Sequence, residues 1–520
     1  MQTSPRTTLF TSTAIKTMAL AAGLTLLAGC ETATNFDATT SKIVKTEKMV
    51  STMVLPATTK NESAQAHYDA GWADYENARN VTAHKHFVAA AAADPSFTMA
   101  DMMAAWTANS TKGFVTHTRR AAASKAGASQ AEQHLVGMIE SFLANDAEGA
   151  TKHAKLATDL VPKSARAWDF LGATYANTNS TDKARAAYKM ATKLDAAYVP
   201  GFLNLGNNYM TAEPKDFAKA EKYFRKAVAL TPNEPNPHDL LGDVHRAQNN
   251  LKAAYKDYTK AAELAPELGS GLQQRGHVNS FMGNYAEARA DYTRAAELEE
   301  ARGSNAGPAF RVFGAYVHLH KGDHAAAIKE LQEIADGLAG STMEGASGQR
   351  VNALQNIALI ATEIGKFDIA KQAIADAGET AMKQAEAVDS DDIKSAVKAN
   401  QYYMKGLLAA RMGDSEKAMA KAKAFKEQVA SNTNPRKHER LYEIKGMTAY
   451  HQGDYAKAAE YLAKSNHVNN MHAKYYLARA HEKAGNTAGA AKLYDEMAVY
   501  NFNGPGYAMF RKDIVERAKG

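Results

Sequence analysis

Large apolar residues recur three and four positions apart through most of this chain, the spacing of one helical face. Between residues 167 and 300 they do so inside a repeating unit. In its first copy Trp168, Leu171 and Tyr175 share a face, Gly172 lies beside them, and residues 178–182 are polar enough to turn. A second stripe follows, made of Ala184, Tyr188 and Ala191. Gly172 recurs as Gly206, Gly242 and Gly276, at spacings of 34, 36 and 34 residues. Tyr188 recurs as Phe224, Tyr258 and Tyr292, at 36, 34 and 34. The pattern predicts two antiparallel helices per unit, with small residues allowing a close crossing and the aromatic ring filling the gap. A fixed period of this size predicts a solenoid, not one compact globule.

The copies vary in instructive ways. The turn at 210–216 is about two residues longer than its equivalents and predicts a local distortion of the groove. Pro232 and Pro266 stop successive second helices. Looser copies follow a break at 303–308, marked by Gly322-Asp323, Gly365, Gly413-Asp414, Gly453-Asp454 and Gly485-Asn486. Residues 378–398 predict an extended helix with a loop at 388–392, and Asn432 to Pro435 mark a joint. Upstream, Gly71, Trp72, Ala83, Phe87 and Ala90 repeat the motif, as residues 131–162 do more weakly. Residues 100–128 have helical composition without the full motif. The last stretch, 507–519, predicts an amphipathic helix with Phe510, Ile514 and Val515 inward, closing the open end of the core.

The unit resembles the tetratricopeptide repeat, and the resemblance covers about residue 64 to the end. It implies an all-α, right-handed solenoid of about eleven or twelve hairpins with a C-terminal capping helix. Composition agrees: 45% of residues are apolar, alanine dominates, prolines number 13, and runs of Val, Ile and Thr are rare. The expected divisions are a leader at 1–29, a tether at 30–63, degenerate hairpins at 64–163, a regular core at 164–302, divergent hairpins at 303–502 and a cap at 503–520.

The first 29 residues read as a processing segment. Arg6 and Lys16 precede an uncharged stretch, 17–29, whose 13 residues are too few to cross a bilayer as a helix. It ends in Leu27-Ala28-Gly29-Cys30, which resembles the lipobox of bacterial lipoproteins. Cys30 is the single cysteine, so it has no disulfide partner and belongs to no multi-cysteine metal site. The resemblance implies that Cys30 is lipidated, for example by palmitate, and anchors the chain to a membrane. Glu31 stands where an Asp retains lipoproteins at the inner membrane of enteric bacteria, so the outer membrane, facing the periplasm, is expected. Residues 31–63 read as a flexible tether that could reach about 100 Å if extended.

Charge removes one class of function. The formal charge is +6, or +4 without Arg6 and Lys16, and no basic stripe carries interleaved aromatics, so no nucleic-acid partner is expected. The densest basic run, 436–440, reads as a solvated loop. Catalytic motifs are missing too: there is no Gly-x-Ser-x-Gly elbow, phosphate loop or dinucleotide fingerprint. His438-Glu439 and His481-Glu482 begin like zinc-protease motifs, but Tyr442 and Gly485 stand where the second histidine belongs. His318, His320 and His324 are spaced so that they point to different helix sides. Asp391 and Asp392 sit in a polar loop with nothing apolar to shift them. The expectation is no enzyme, no metal and no cofactor.

Binding residues are expected beside the buried stripes, on first helices lining a concave side. In the core these are Asn204, Asn207, Asp243, Arg246, Gln273, Gln274 and His277. Further on come Asn352, Gln355 and Asn356, then Tyr403, Tyr450 and Tyr475, with Tyr316, Arg411 and Arg479 alongside. Amides offer donors and acceptors together and suit peptide backbone or sugar hydroxyls, while tyrosines add flat amphipathic area. The resemblance implies a lipid-anchored periplasmic scaffold for an envelope protein or peptide, in outer-membrane assembly, secretion or pilus formation, or polysaccharide export. The alternative is a lipoprotein that binds a glycan, peptidoglycan or an exported polysaccharide, along the tyrosine-rich C-terminal groove.

Overall fold

The computed structural model describes residues 55–77, 79–302 and 304–519. The leader, Cys30 and most of the expected tether lie outside them. Of that tether, residues 55–63 are described: 62 and 63 open the first helix, and 55–61 are docked, with Leu55 buried and the Thr58 amide and hydroxyl donating to the Glu132 carboxylate at 2.8 and 2.7 Å.

Twelve helical hairpins and one terminal helix follow among the described residues. The first four pair α1 Glu62–Glu76 with α2 Asn80–Ala93, α3 Thr98–Thr107 with α4 Thr111–Ser124, α5 Gln130–Leu143 with α6 Ala147–Leu160, and α7 Ala165–Asn177 with α8 Thr181–Leu194. Next come α9 Val199–Thr211 and α10 Phe217–Leu230, α11 Pro235–Ala247 and α12 Leu251–Leu264, α13 Ser270–Met282 and α14 Tyr285–Ala301, α15 Gly307–His320 and α16 His324–Gly337. The last four pair α17 Ala346–Glu363 with α18 Phe367–Ala387, α19 Asp391–Arg411 with α20 Ser415–Gln428, α21 Glu439–His451 with α22 Tyr455–Ala463, and α23 Met471–Lys483 with α24 Thr487–Ala498. The chain closes with α25 Pro505–Arg517. The expected solenoid is therefore present, and residues 100–128, which lack the motif, still contribute the hairpin α3–α4.

The Gly–aromatic signature has a direct steric cause. A Cβ placed on Gly172, Gly206, Gly242 or Gly276 would stand 2.5–2.8 Å from the ring of Tyr188, Phe224, Tyr258 or Tyr292 respectively. Each ring thus lies flush on the backbone of its partner helix. Burying one such ring stabilises the hairpin by about 2–3 kcal/mol. The Gly-Asp and Gly-Asn pairs are the turns: Gly322, Gly413 and Gly453 adopt left-handed φ of 80–85°, and the next residue caps the second helix. Asp323, for instance, accepts from the Ala326 amide at 3.0 Å.

First helices of successive hairpins lie side by side as an inner row. The row is wound tightly enough for distant hairpins to touch. Ser110, capping α4, donates to Glu344 at 2.5 Å across 234 residues, and Thr433 donates to Asp146 at 2.8 Å across 287. The terminal helix packs on α24, as a cap should, and also on α15, α17 and α23 of the inner row. A cap on a straight array would not reach α15 or α17. Here the winding brings them within range.

Candidate functional site

The expected concave residues do converge on the inner row, and most of them are buried. A polar ladder with one rung per hairpin runs between neighbouring first helices at 35-residue spacing, through positions 169, 204, 239 and 274. Asn204 donates to Asp169 at 2.7 Å and Gln274 to Asp239 at 3.4 Å, so these amides join helix to helix. Burial, against the hydrogen bonds from Asn204 and Tyr198, pushes the Asp169 carboxyl up to about 7. Arg246 is ion-paired with Asp243 and donates to Gln274 at 2.9 Å, while Tyr258 donates to Asp243 at 2.8 Å. Gln273 faces His277 one turn along α13, and Asn207 is half-buried.

The C-terminal half behaves similarly. Tyr316 donates to Asn356 at 2.8 Å, and Asn356 donates to Asn352 at 3.1 Å. Gln355 is half-buried and its side-chain nitrogen has no partner. Tyr403 lies under the Arg440 guanidinium at 4.6 Å, and Tyr450 packs edge-on to Tyr476 at 5.0 Å. Tyr475 stacks on Phe510 at 4.1 Å and donates to Asp513 at 2.7 Å. These tyrosines are turned to neighbours within the chain, so they do not form the open flat strip that would suit a sugar ring.

What covers the row is the chain's own C-terminal segment. Residues 499–504 join α24 to α25 through a turn at 499–500 and irregular backbone at 501–504, and residues 501–508 are all buried. Phe502 lies among Leu203, Leu240 and Val244 with the Arg246 guanidinium 4.9 Å from its ring centroid. The Asn503 amide donates to His277 Nδ1 and the Tyr292 hydroxyl, both at 3.1 Å, and its oxygen accepts from His320 at 3.1 Å. Asn501 donates to Asn249 at 2.6 Å. The long turn at 210–216 joins in: Arg185 holds its carbonyls at Ala212 and Pro214, and Lys215 lies 5.3 Å from the Tyr500 ring centroid.

Sequence reasoning did not pick out Phe502, Asn503, His320 or Tyr292 as groove residues. The available signal was the Asn- and aromatic-rich stretch Tyr500-Asn-Phe-Asn-Gly-Pro-Gly-Tyr507, which has no helical stripe. It also did not pick out a buried charge cluster joining α17, α21 and α23. His472 bonds Glu363 at 2.8 Å and lies 3.7 Å from Glu443, Tyr476 donates to Glu363 at 2.6 Å, and Asn470 donates to Glu443 at 3.1 Å. Burial disfavours the imidazolium, but Glu363 and then Glu443 overcome it and raise His472 to about 9. A histidine held charged at neutral pH is a tie, not a general base. Of the three spaced histidines, His318 meets Glu330 at 3.1 Å and His320 meets Asn503, and no group of three ligating side chains suited to a metal occurs among the described residues.

One open cleft of about 950 Å3 lies where two superhelical turns meet, lined by Lys112, His117, Glu344, Arg350, Glu379 and Lys383 among others. Charges of both signs line it, and no phenylalanine, tyrosine or tryptophan does. No helix among the described residues is long and apolar enough to cross a membrane.

Two sequence profiles of the tetratricopeptide repeat match the chain, one over residues 165–198 and 238–268, the other over 275–341, 403–467 and 445–508. Among solved structures, PilW, described as a widely conserved type IV pilus biogenesis factor, is 17% identical, with 42% of this chain and 97% of PilW covered at a TM-score of 0.34. A tetratricopeptide repeat protein from Parabacteroides merdae is 18% identical over 54% of this chain and 98% of its own, at a TM-score of 0.33. YrrB, described as having an unusual peptide-binding site, is 18% identical over 38% of this chain and 97% of its own, at 0.26. These likenesses are of the repeat fold alone. No curated protein matches the chain.

Proposed function

We propose that this tetratricopeptide-repeat chain is a lipid-anchored scaffold of a bacterial cell envelope, holding an extended segment of a partner protein on its inner row of helices. Tetratricopeptide repeats are protein-binding scaffolds, and one observation makes the mode specific. The inner row already holds a non-helical stretch of polypeptide, residues 501–504, by an aromatic side chain over Arg246 and an amide fixed by His277, Tyr292 and His320. The anchor is Cys30, and its expected place is the outer membrane, facing the periplasm. Outer-membrane assembly, secretion or pilus formation, and polysaccharide export are the pathways in which such a scaffold would work.

Two experiments test this. Crosslinking pull-down from intact cells should recover an envelope protein, and recovery no greater than from a chain with Arg246, Gln274 and His277 replaced would count against the scaffold. Cys30→Ser should move the protein from the membrane to the soluble fraction and abolish incorporation of labelled palmitate. An unchanged membrane fraction would rule out the lipid anchor.

A further inference from the structure

We infer that the seat of Phe502 and Asn503 on α11, α13 and α15 is the partner site itself, that residues 499–508 occupy it as an internal stand-in, and that the partner is an extended peptide presenting an aromatic residue followed by a side-chain amide. This deepens the scaffold reading and rests on it.

Three features carry the inference. First, the seat is selective in a way that closing a solenoid does not require. An apolar end cap needs only to cover the last hairpin, which α25, with Ile514 buried, already does by packing on α24. The Asn503 amide instead uses both its donors and its acceptor on three side chains from α13, α14 and α15, between 183 and 226 residues away. Second, the stand-in leaves polar capacity unused. The Arg246 guanidinium lies 4.9 Å from the Phe502 ring centroid, and its Nε, like Oδ2 of its ion-pair partner Asp243, is buried with no hydrogen-bond partner. A phenyl ring cannot satisfy them, whereas a peptide presenting a tyrosine hydroxyl or a backbone group at that depth can. Third, the strap reaches the seat through a turn. Asn501 must take a left-handed φ of 45° to turn the chain back from α24. A separate peptide entering along the groove needs no such turn.

Competition then follows from tethering. A strap joined by a short connection has an effective concentration on the order of millimolar. A free peptide with the same contacts binds only in proportion to the fraction of open seats, so weakening the strap tightens apparent binding by the same factor. Binding of the partner would free α25 from α15 and α17, linking occupancy of the groove to exposure of the C-terminal helix.

The probe is a fluorescent synthetic peptide with the sequence of residues 499–506, titrated into the full chain. Asn503→Ala should bind it at least tenfold more tightly than the unaltered chain, and a peptide with alanine in place of the asparagine matching Asn503 should lose that binding. Circular dichroism is the check that Asn503→Ala is folded. No binding to a folded Asn503→Ala chain overturns the inference. A second variant needs no weakening of the seat. Asn249→Cys with Asn501→Cys, whose parent side chains touch at 2.6 Å, lets a disulfide lock the strap closed. Pull-down of the envelope partner should succeed with the reduced form and fail with the oxidised one, and equal recovery from both overturns the inference. Recovery from neither form rejects the scaffold reading, while the peptide titration still decides the seat.

Discussion

The regular hairpins of residues 164–302 and the strap of residues 499–508 meet at one surface and are held there by opposite means. In the hairpins, aromatic rings lie against glycines of the neighbouring helix, and the important contacts are with adjacent units. In the strap, placement depends on a few hydrogen bonds to side chains roughly two hundred residues away. Apolar packing of the first kind is insensitive to pH and shared among many atoms. Polar anchoring of the second kind is specific, reversible and concentrated in single groups. The contrast extends to the titrating residues at each place, because burial acts with opposite sign on an acid and on a base.

The largest effect should come from breaking the hairpin side. Gly206→Leu would drive a side chain into the Phe224 ring, which a Cβ alone would already meet at 2.6 Å. The ring is fully buried and has nowhere to move. A loss of about 3 kcal/mol is expected, read as a lower urea midpoint of the cooperative transition. An unchanged midpoint would mean that the Gly–ring contact is incidental and that the comparison is misdrawn.

A smaller effect of the other sign is expected at Asp169. Its folded pKa of about 7 lies above the ordinary 3.8, so the folded chain holds a proton that the unfolded chain has released. The contribution is fully present below about pH 4 and is lost as pH rises through 7. Three units correspond to about 4 kcal/mol, and local relaxation reduces this to about 2. Asp169→Asn keeps an acceptor for Asn204 and removes the titration. Its melting temperature at pH 8 should exceed that of the unaltered chain, and the two should converge at pH 4.5. A lower melting temperature at pH 8 would show the carboxylate to be stabilising there.

The hairpins were legible in the sequence because their cause is local and periodic. Gly172 and Tyr188 announce a close crossing whatever surrounds them, and Gly413-Asp414 announces a turn. Even the long turn at 210–216 stood out against the period, although its use did not. Lys215 and Tyr500 are far apart in sequence and share no repeat position. The inner polar row was also readable as positions, Asn204 to His277, but not as an occupied surface. Occupancy depends on how tightly the superhelix winds, a sum of small rotations over many hairpins that no single motif encodes. Asn503 shows this most plainly: in sequence it is one more loop asparagine, and it becomes an anchor only because α13, α14 and α15 curve around it.

The smallest and sharpest test sets the two regions against each other in one titration. Burial, partly offset by the bond to Asn503 and aided by the Arg511 charge, lowers His320 to about 4. A base with a depressed folded pKa contributes fully above its ordinary 6.5 and loses that contribution as pH falls toward 4. His320 is partly exposed, so screening leaves about 1 kcal/mol, roughly a fivefold rise in strap opening. Amide hydrogen exchange, corrected for intrinsic rates, should therefore show residues 501–508 losing protection between pH 6.5 and 4.5. The hairpin α7–α8, containing Asp169, should gain protection over the same range. Helix α23 is the internal reference: His472, raised to about 9, contributes fully below 6.5, so its tie to Glu363 should hold while the strap loosens. If strap and α23 lose protection together, the segment belongs to the same cooperative unit as the C-terminal hairpins. If the strap alone opens, the chain carries a separable occupant in its groove, governed by a histidine that the hairpins do not need.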